Sequence, residues 1–312
     1  MGRKLLTPPS FDIYNEQILE LKPKNSNEAD IVWEWNFKDH FIQDFDKTKD
    51  NYGNVGENPQ RLDINFLGTS TGASWLHINA MQYNAELDQI VLSSKHLSEI
   101  YIIDHSTTTA EAASSKGGRY KRGGDILYRW GNPMVYRQGT AADQKLFGPH
   151  YPHWIGKELK DEGKIILFNN GANRSPSFSE VNIITPPKSD VGDYDYKVNT
   201  AFGPMNPDYI YTAPEKTDFY SPFQSSAQRL PNGNTFICKG KQGHFFEIDI
   251  NENIVWEYIS PIGGAKILSQ GENPKDFSTN VFRAKKYWKE YEVFKGRDLS
   301  SGSPIEKNPD LG

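Results

Sequence analysis

The chain has 312 residues, with 35 Lys and Arg against 40 Asp and Glu and a formal net charge of −5; that length supplies core for one large domain or two ordinary ones. The acidic balance argues against a nucleic-acid partner, which needs a basic face. No apolar run nears the ~20 residues that cross a bilayer, the start Met1-Gly-Arg-Lys-Leu-Leu-Thr-Pro-Pro9 lacks the apolar segment of a signal peptide, and a lone Cys238 forbids an internal disulfide and a cysteine-rich metal site.

An aromatic content of 13%, with 26 Gly and 19 Pro, suits many short strands and turns. In chain order, residues 13–22 and 30–35 read as two strands around the turn-rich 23–27. Residues 36–72 are polar and rich in Asp, Asn and Gly, and are expected to form a long surface excursion. Then come four strands in succession, at 78–83, 89–94, 99–104 and 125–130, with 84–88 as the first turn. Between the third and fourth, Thr108 with Glu111 three residues on has the spacing of a capping box for a short helix. A second set follows at 151–155, 164–168, 178–184 and either 194–199 or 209–211. A third set is 225–230, 234–239, 244–249 and 254–258, with turns at Pro231-Asn-Gly233 and 250–253.

The sets share an order. Glu99-Ile-Tyr-Ile-Ile-Asp104, Glu180-Val-Asn-Ile-Ile184 and Glu247-Ile-Asp249 hold the third place, and Val32-Trp-Glu-Trp35, Tyr128-Arg-Trp130 and Val255-Trp-Glu-Tyr258 the fourth. A four-strand unit repeated every 40–50 residues or so is the signature of an all-β propeller. The N-terminal pair supplies two outer strands, and 280–287 reads as one inner strand, so the two ends are expected to share a blade. Three full units and a shared one are few for a ring. The expectation is a single propeller domain over 1–290, incomplete at its N-terminal side, and a tail over 291–312.

In a propeller, loops from different blades converge on the central channel. His77 precedes the first strand of the first full unit, and His150 and His153 precede or open that of the second. Arg174 and His244 follow the second strand of their own units. Any one histidine is more often structural than catalytic, and His40 and His105 suit loop hydrogen bonds; the repeated placement is the argument. Zinc would fit three imidazoles, but Arg174 beside it is unfavourable and no HxH or HExxH spacing occurs. A GxSxG elbow is also missing. Imidazoles with a guanidinium suit a tetrahedral oxyanion, sulfate or phosphate, and one imidazole can attack as a nucleophile. Lys95 and His96 end a strand within reach of the same face.

The motifs Trp75-Leu-His-Ile-Asn79, Gln89-Ile-Val-Leu-Ser-Ser-Lys-His96, Ile102-Ile-Asp-His-Ser-Thr-Thr108, Gly123-Gly-Asp-Ile-Leu-Tyr-Arg-Trp-Gly-Asn-Pro133, Phe168-Asn-Asn-Gly171 and Phe282-Arg-Ala284 together resemble the bacterial arylsulfate sulfotransferases, in order over roughly residues 30–290. The resemblance implies a six-bladed propeller of which this chain lacks the first blades. It implies an enzyme that uses no cofactor or nucleotide donor and moves a sulfuryl group from a phenolic sulfate ester to an acceptor phenol by a ping-pong route through a sulfohistidine. His244 would be the nucleophile, and His77, His150 and Arg174 would bind the sulfuryl oxygens and steady the leaving phenolate. Asn79, Lys95, His96 and His153 are further substrate-binding candidates, His153 as the alternative to His150. The family implies a periplasmic or extracellular setting and leaves a homodimer open. Hydrolysis of the ester in the same pocket, and a binding scaffold without catalysis, are the competing readings.

Overall fold

A computed structural model describes residues 1–4, 12–70, 72–197, 199–264, 266–274 and 277–310. The fold is all-β with little helix. Its strands are β1 (Gln17–Pro23), β2 (Ala29–Asn36), β3 (Phe41–Ile42), β4 (Leu62–Asp63), β5 (Ile78–Asn84), β6 (Gln89–Ser94), β7 (Glu99–Asp104), β8 (Tyr128–Trp130), β9 (His150–Trp154), β10 (Ile165–Asn169), β11 (Glu180–Ile184), β12 (Tyr209–Tyr211), β13 (Ser226–Arg229), β14 (Thr235–Lys239), β15 (His244–Ile248), β16 (Ile254–Ile259), β17 (Ile262–Gly263) and β18 (Lys266–Ile267). Among the described residues, three sheets are four-stranded meanders: β5 to β8, β9 to β12, and β13 to β16. These are the three repeated units expected from the sequence. The fourth strand of the second is 209–211, while Tyr194 forms only an isolated bridge with Lys188. The chain divides into two compact units, Met1–His153 with Ile184–Pro207, and Trp154–Ile183 with Asp208–Gly312.

In the first unit, β1 and β2 form an antiparallel hairpin in which Trp33 and Trp35 alternate inward and are buried. Their indole N–H groups donate to Thr107 Oγ1 and to the Gly124 carbonyl. Every residue of β6 and β7 is buried, which explains their continuous apolar runs. At the start of β7 the Glu99 carboxylate is paired with Arg129 of β8, whose Nη1 also donates to the carbonyls of Pro59 and Arg61. The short helix α1 (Thr109–Ala112) carries the expected Thr108/Glu111 capping box.

Residues 36–72 are not a surface excursion. Phe37, His40, Val55, Leu62 and Ile64 are almost wholly buried, and β3 pairs with β4 in parallel. His40 is fixed there by Asp125 Oδ1 at Nδ1 and the Ala112 carbonyl at Nε2, with its ring stacked on Trp35. The polar composition concealed a core segment because its few apolar anchors follow neither strand nor helix spacing.

The second unit is built on Ile155, Ile166, Phe168, Val181, Ile183, Tyr211, Phe219, Ile237, Phe246 and Ile248. Its meander β13 to β16 ends in a strand whose six residues are all exposed. Residues 280–287 form no strand, contrary to expectation. They run beside β13, but Ser226 and Gln228 side chains bond Ala284 and Lys286, replacing a backbone ladder at those two positions. Among the described residues, the β1–β2 hairpin is a two-stranded sheet. The last segment is tied down by Lys307, which bonds Leu268 and Gln270 backbone groups.

Candidate functional site

The first unit holds six of the eight residues singled out by sequence. Buried Trp75 and Leu76 anchor the approach to β5, with the Trp75 indole donating to the Phe66 carbonyl at 2.7 Å. Lys95 N–H bonds the His77 carbonyl and His96 N–H bonds that of Leu76, so the loop entering β5 is locked to the loop leaving β6. His77 sits at φ 50°, a left-handed conformation uncommon for a side chain with Cβ. The result is a pair of imidazoles in edge-to-face contact, His77 and His96, with ring centroids 5.1 Å apart. Ser74 Oγ lies 3.3 Å from His77 Nδ1 and Thr69 Oγ1 2.9 Å from His96 Nδ1. Burial first, then Lys95, lowers the His77 pKa. Burial, then His77 and Lys95, lowers that of His96 to about 4. Both rings are therefore neutral near pH 7, beside an ammonium group.

Asn79 of β5 accepts from Ser93 Oγ and donates to the Pro149 carbonyl at 2.9 Å, which ties the His77 strand to the turn before His150. His150 and His153 are both buried, and each Nδ1 meets a carbonyl two residues back, at 3.2 Å, from Gly148 and Tyr151. A proton held on Nδ1 by such a contact leaves Nε2 as the acceptor. Glu16, not noted in the sequence, holds this region from the N-terminal side: its Oε2 accepts from Ile78 N–H at 2.7 Å, and burial raises its pKa.

The second unit holds Arg174 and His244. Arg174 closes its own loop. Nε and Nη2 donate to the Phe178 carbonyl at 3.1 and 2.7 Å, Nη1 lies 3.3 Å from Glu180 Oε2, and the guanidinium lies over the Phe178 ring. Burial lowers its pKa against the opposing pull of Glu180. Gly171, at φ 71°, is required in this turn because a Cβ there would meet the Phe178 carbonyl oxygen at 1.6 Å.

His244 opens β15 after the left-handed Gly243. It lines a pocket of about 390 Å³ with Lys239, Lys241, Gln242, Ile259, Phe277 and Thr279 among its walls. Lys239 Nζ donates to the Asp218 carbonyl and Lys241 lies over the Phe223 ring, so both ammonium groups are steered by uncharged partners. Burial, the largest cause, lowers the His244 pKa, while Glu257 raises it and Lys239 lowers it. A mostly neutral imidazole with two cations and an apolar wall can receive an aromatic anion and attack it. Lys239 and Lys241 stand in Lys239-Gly-Lys-Gln-Gly-His244 but were not singled out by sequence, and Phe277 and Thr279 carried no local signal. Among the described residues, no group of three or more His, Cys, Asp or Glu side chains is placed to hold a metal, and no helix is long and apolar enough to cross a membrane.

The family described as Arylsulfotransferase (ASST) matches residues 10–261. The chain is similar to the arylsulfate sulfotransferase AssT of Escherichia coli O6:H1 (strain CFT073), 25% identical over 192 residues, covering 58% of this chain and 30% of that protein. It is similar to AssT of Lelliottia amnigena at 24% identity over 191 residues, with the same coverage of 58% and 30%. The matched chain thus spans 30% of the length of these relatives. Among solved structures, virginiamycin B lyase from Staphylococcus aureus aligns with a TM-score of 0.27 at 12% identity, over 59% of this chain and 56% of that one. A protein of unknown function from Bacteroides caccae aligns at 0.23 and 13%, over 64% and 68%. Both scores are too low to bear on the fold.

Proposed function

Because the chain belongs to the arylsulfotransferase (ASST) family, we propose that it transfers a sulfuryl group from a phenolic sulfate ester to an acceptor phenol through a sulfohistidine at His244. The observation that carries this reading is the pocket at His244, where a half-buried imidazole of lowered pKa stands with Lys239 and Lys241 beside Phe277. The lysines suit the anionic sulfuryl group, and the Phe277 side suits the aryl ring. His77, His150 and Arg174 are proposed to bind sulfuryl oxygens and the leaving phenolate, with His153, Asn79, Lys95 and His96 as substrate-binding neighbours. Removing one such electrostatic donor costs roughly 10²–10³ in kcat.

The three four-stranded meanders support reading them as propeller blades, and a propeller domain over 1–290 followed by a tail over 291–312 is proposed on that basis. A periplasmic or extracellular setting is proposed from the family resemblance. The test is release of nitrophenol from its sulfate ester, with and without added phenol, alongside intact-mass analysis. Phenol-stimulated release, an adduct mapping to His244, and loss of both in His244→Ala are the expected results. Release that phenol leaves unchanged indicates transfer to water, and no release from the folded chain overturns the reading.

A further inference from the structure

The antiparallel register of β15 and β16 sets Phe246 opposite Glu257 and His244 opposite Ile259. Residues two apart on a strand share a face, so His244 and Glu257 are diagonal neighbours on one side of the sheet. There Glu257 Oε1 lies 2.7 Å from His244 Nε2, with the carboxylate side chain 54% exposed and the imidazole 20%. Nε2 itself is shut off from solvent, and no aligned hydrogen bond reaches it. The short contact is thus an oblique electrostatic one. The charged groups that act on the ring are Glu257 from β16 and Lys239 from β14, and Lys241 lines the same pocket from the loop between β14 and β15. Glu257 is the carboxylate among them.

We infer that Glu257 is the positioning residue of His244: it holds the imidazole with its proton on Nε2 and leaves Nδ1 with the free electron pair. An imidazole orientated by a carboxylate on one nitrogen reacts from the other, because the contact fixes both the tautomer and the ring plane. This rests on the reading that His244 takes the sulfuryl group. In that reaction the Nδ1 pair forms the N–S bond as the S–O bond to the aryl group breaks, and the phenolate leaves with the S–O pair. Nε2 keeps its proton, and the Glu257 carboxylate offsets the positive charge on the sulfated ring. The acceptor phenol oxygen then bonds to sulfur as the N–S bond breaks, its proton passing to water.

The test uses the full chain with ¹⁵N-labelled histidine, comparing wild type with Glu257→Gln in long-range ¹H–¹⁵N spectra over a pH titration, with His244→Asn to assign the resonance. The expected results are a wild-type tautomer protonated on Nε2 and a lower His244 titration midpoint in E257Q. With nitrophenyl sulfate, kcat is expected to fall about tenfold with KM within about twofold, a modest loss because the carboxylate is half in solvent. Glu257→Asp, which keeps the charge but withdraws it from the ring, is expected to fall between the two and gives the same readout if E257Q does not fold. An unchanged tautomer and midpoint in the folded variant overturn the inference, even where turnover is seen. A wild type without turnover but with the expected tautomer and midpoint shift sinks the sulfuryl reading and leaves the positioning contact standing.

Discussion

Glu99 of β7 and Arg129 of β8 are diagonal neighbours with both side chains wholly buried, Arg129 Nε donating to Glu99 Oε1 at 2.9 Å and Nη2 to Oε2. The Tyr101 hydroxyl donates to the same carboxylate, and the Tyr136 ring lies 4.4 Å under the guanidinium. No charge here reaches water. The Arg129 donors also satisfy the carbonyls of Pro59 and Arg61, so the pair fastens the 36–72 segment to the first meander.

Removing one partner leaves the other charge buried and uncompensated. Glu99→Gln is therefore expected to destabilise the chain by about 3–5 kcal/mol, measured as a shift in the urea midpoint. Replacing both members with Leu and Met is expected to cost less than the single change, because no orphan charge remains. A single and double variant of equal stability would show that the carbonyls of Pro59 and Arg61, not the ion pair, set the cost.

The His77–His96 pair gives stability an acid edge. His96 titrates at about 4 in the fold against 6.5 for the free side chain, so below 6.5 the unfolded chain takes up a proton that the folded chain resists. Its contribution is whole above about pH 6.5, falls as the pH drops toward 4, and is lost once the pH has passed through the folded value. His77, also lowered, acts in the same direction. Half-exposure of both rings mutes the amplitude. His96→Asn is expected to flatten the fall in denaturant midpoint between pH 6.5 and 4, and an unchanged slope would place the acid sensitivity elsewhere.

What was legible followed from short-range chemistry. β5 to β8 and β13 to β16 announce themselves through turns such as Asn84-Ala-Glu-Leu-Asp88 and Pro231-Asn-Gly233, and through the repeated acidic and Trp-bearing strands. Burial in 36–72 was hidden because its polar groups are satisfied from afar: His40 finds partners at Ala112 and Asp125, which no local window contains. The strand expected at 280–287 failed for the opposite reason, since Ser226 and Gln228 took bonds that alternation had assigned to backbone. At the site, His244 and its lysines lay in one motif, but Glu257 became visible only with the β15–β16 register. The sequence marked Arg174 as a sulfuryl-binding candidate and gave no sign that it closes its own loop, because its carbonyl partner, Phe178, is not a feature of residue type.

Arg174 and Gly171 act as one turn. Gly171→Ala puts a Cβ into the Phe178 carbonyl at a left-handed φ, and the turn must move; a loss of at least about 1 kcal/mol is expected in thermal or urea unfolding. Arg174→Lys loses the fork that bonds the Phe178 carbonyl twice, at roughly 1–3 kcal/mol. If the arginine also binds the sulfuryl group, R174K raises KM or lowers kcat at temperatures where the variant is fully folded. Unfolding loss with unchanged kinetics would confine Arg174 to the turn.

The segment beside β13 offers the clearest separation of side-chain from backbone bonding. Two of its amides depend on side chains, Ala284 N–H on Ser226 Oγ at 3.3 Å and Lys286 N–H on Gln228 Oε1 at 3.0 Å. Two other contacts use backbone alone, Ser225 N–H to the Phe282 carbonyl and Val281 N–H to that of Gly240. Ser226→Ala with Gln228→Ala removes the first pair and spares the second. A hydrogen bond nets about 1 kcal/mol, so the Ala284 and Lys286 amides should exchange about fivefold faster in the double variant, while the Val281 amide keeps its rate. Uniformly faster exchange across 280–287 would mean that the side-chain bonds hold the whole segment in place. Unchanged rates at Ala284 and Lys286 would show that packing, not these two bonds, protects them.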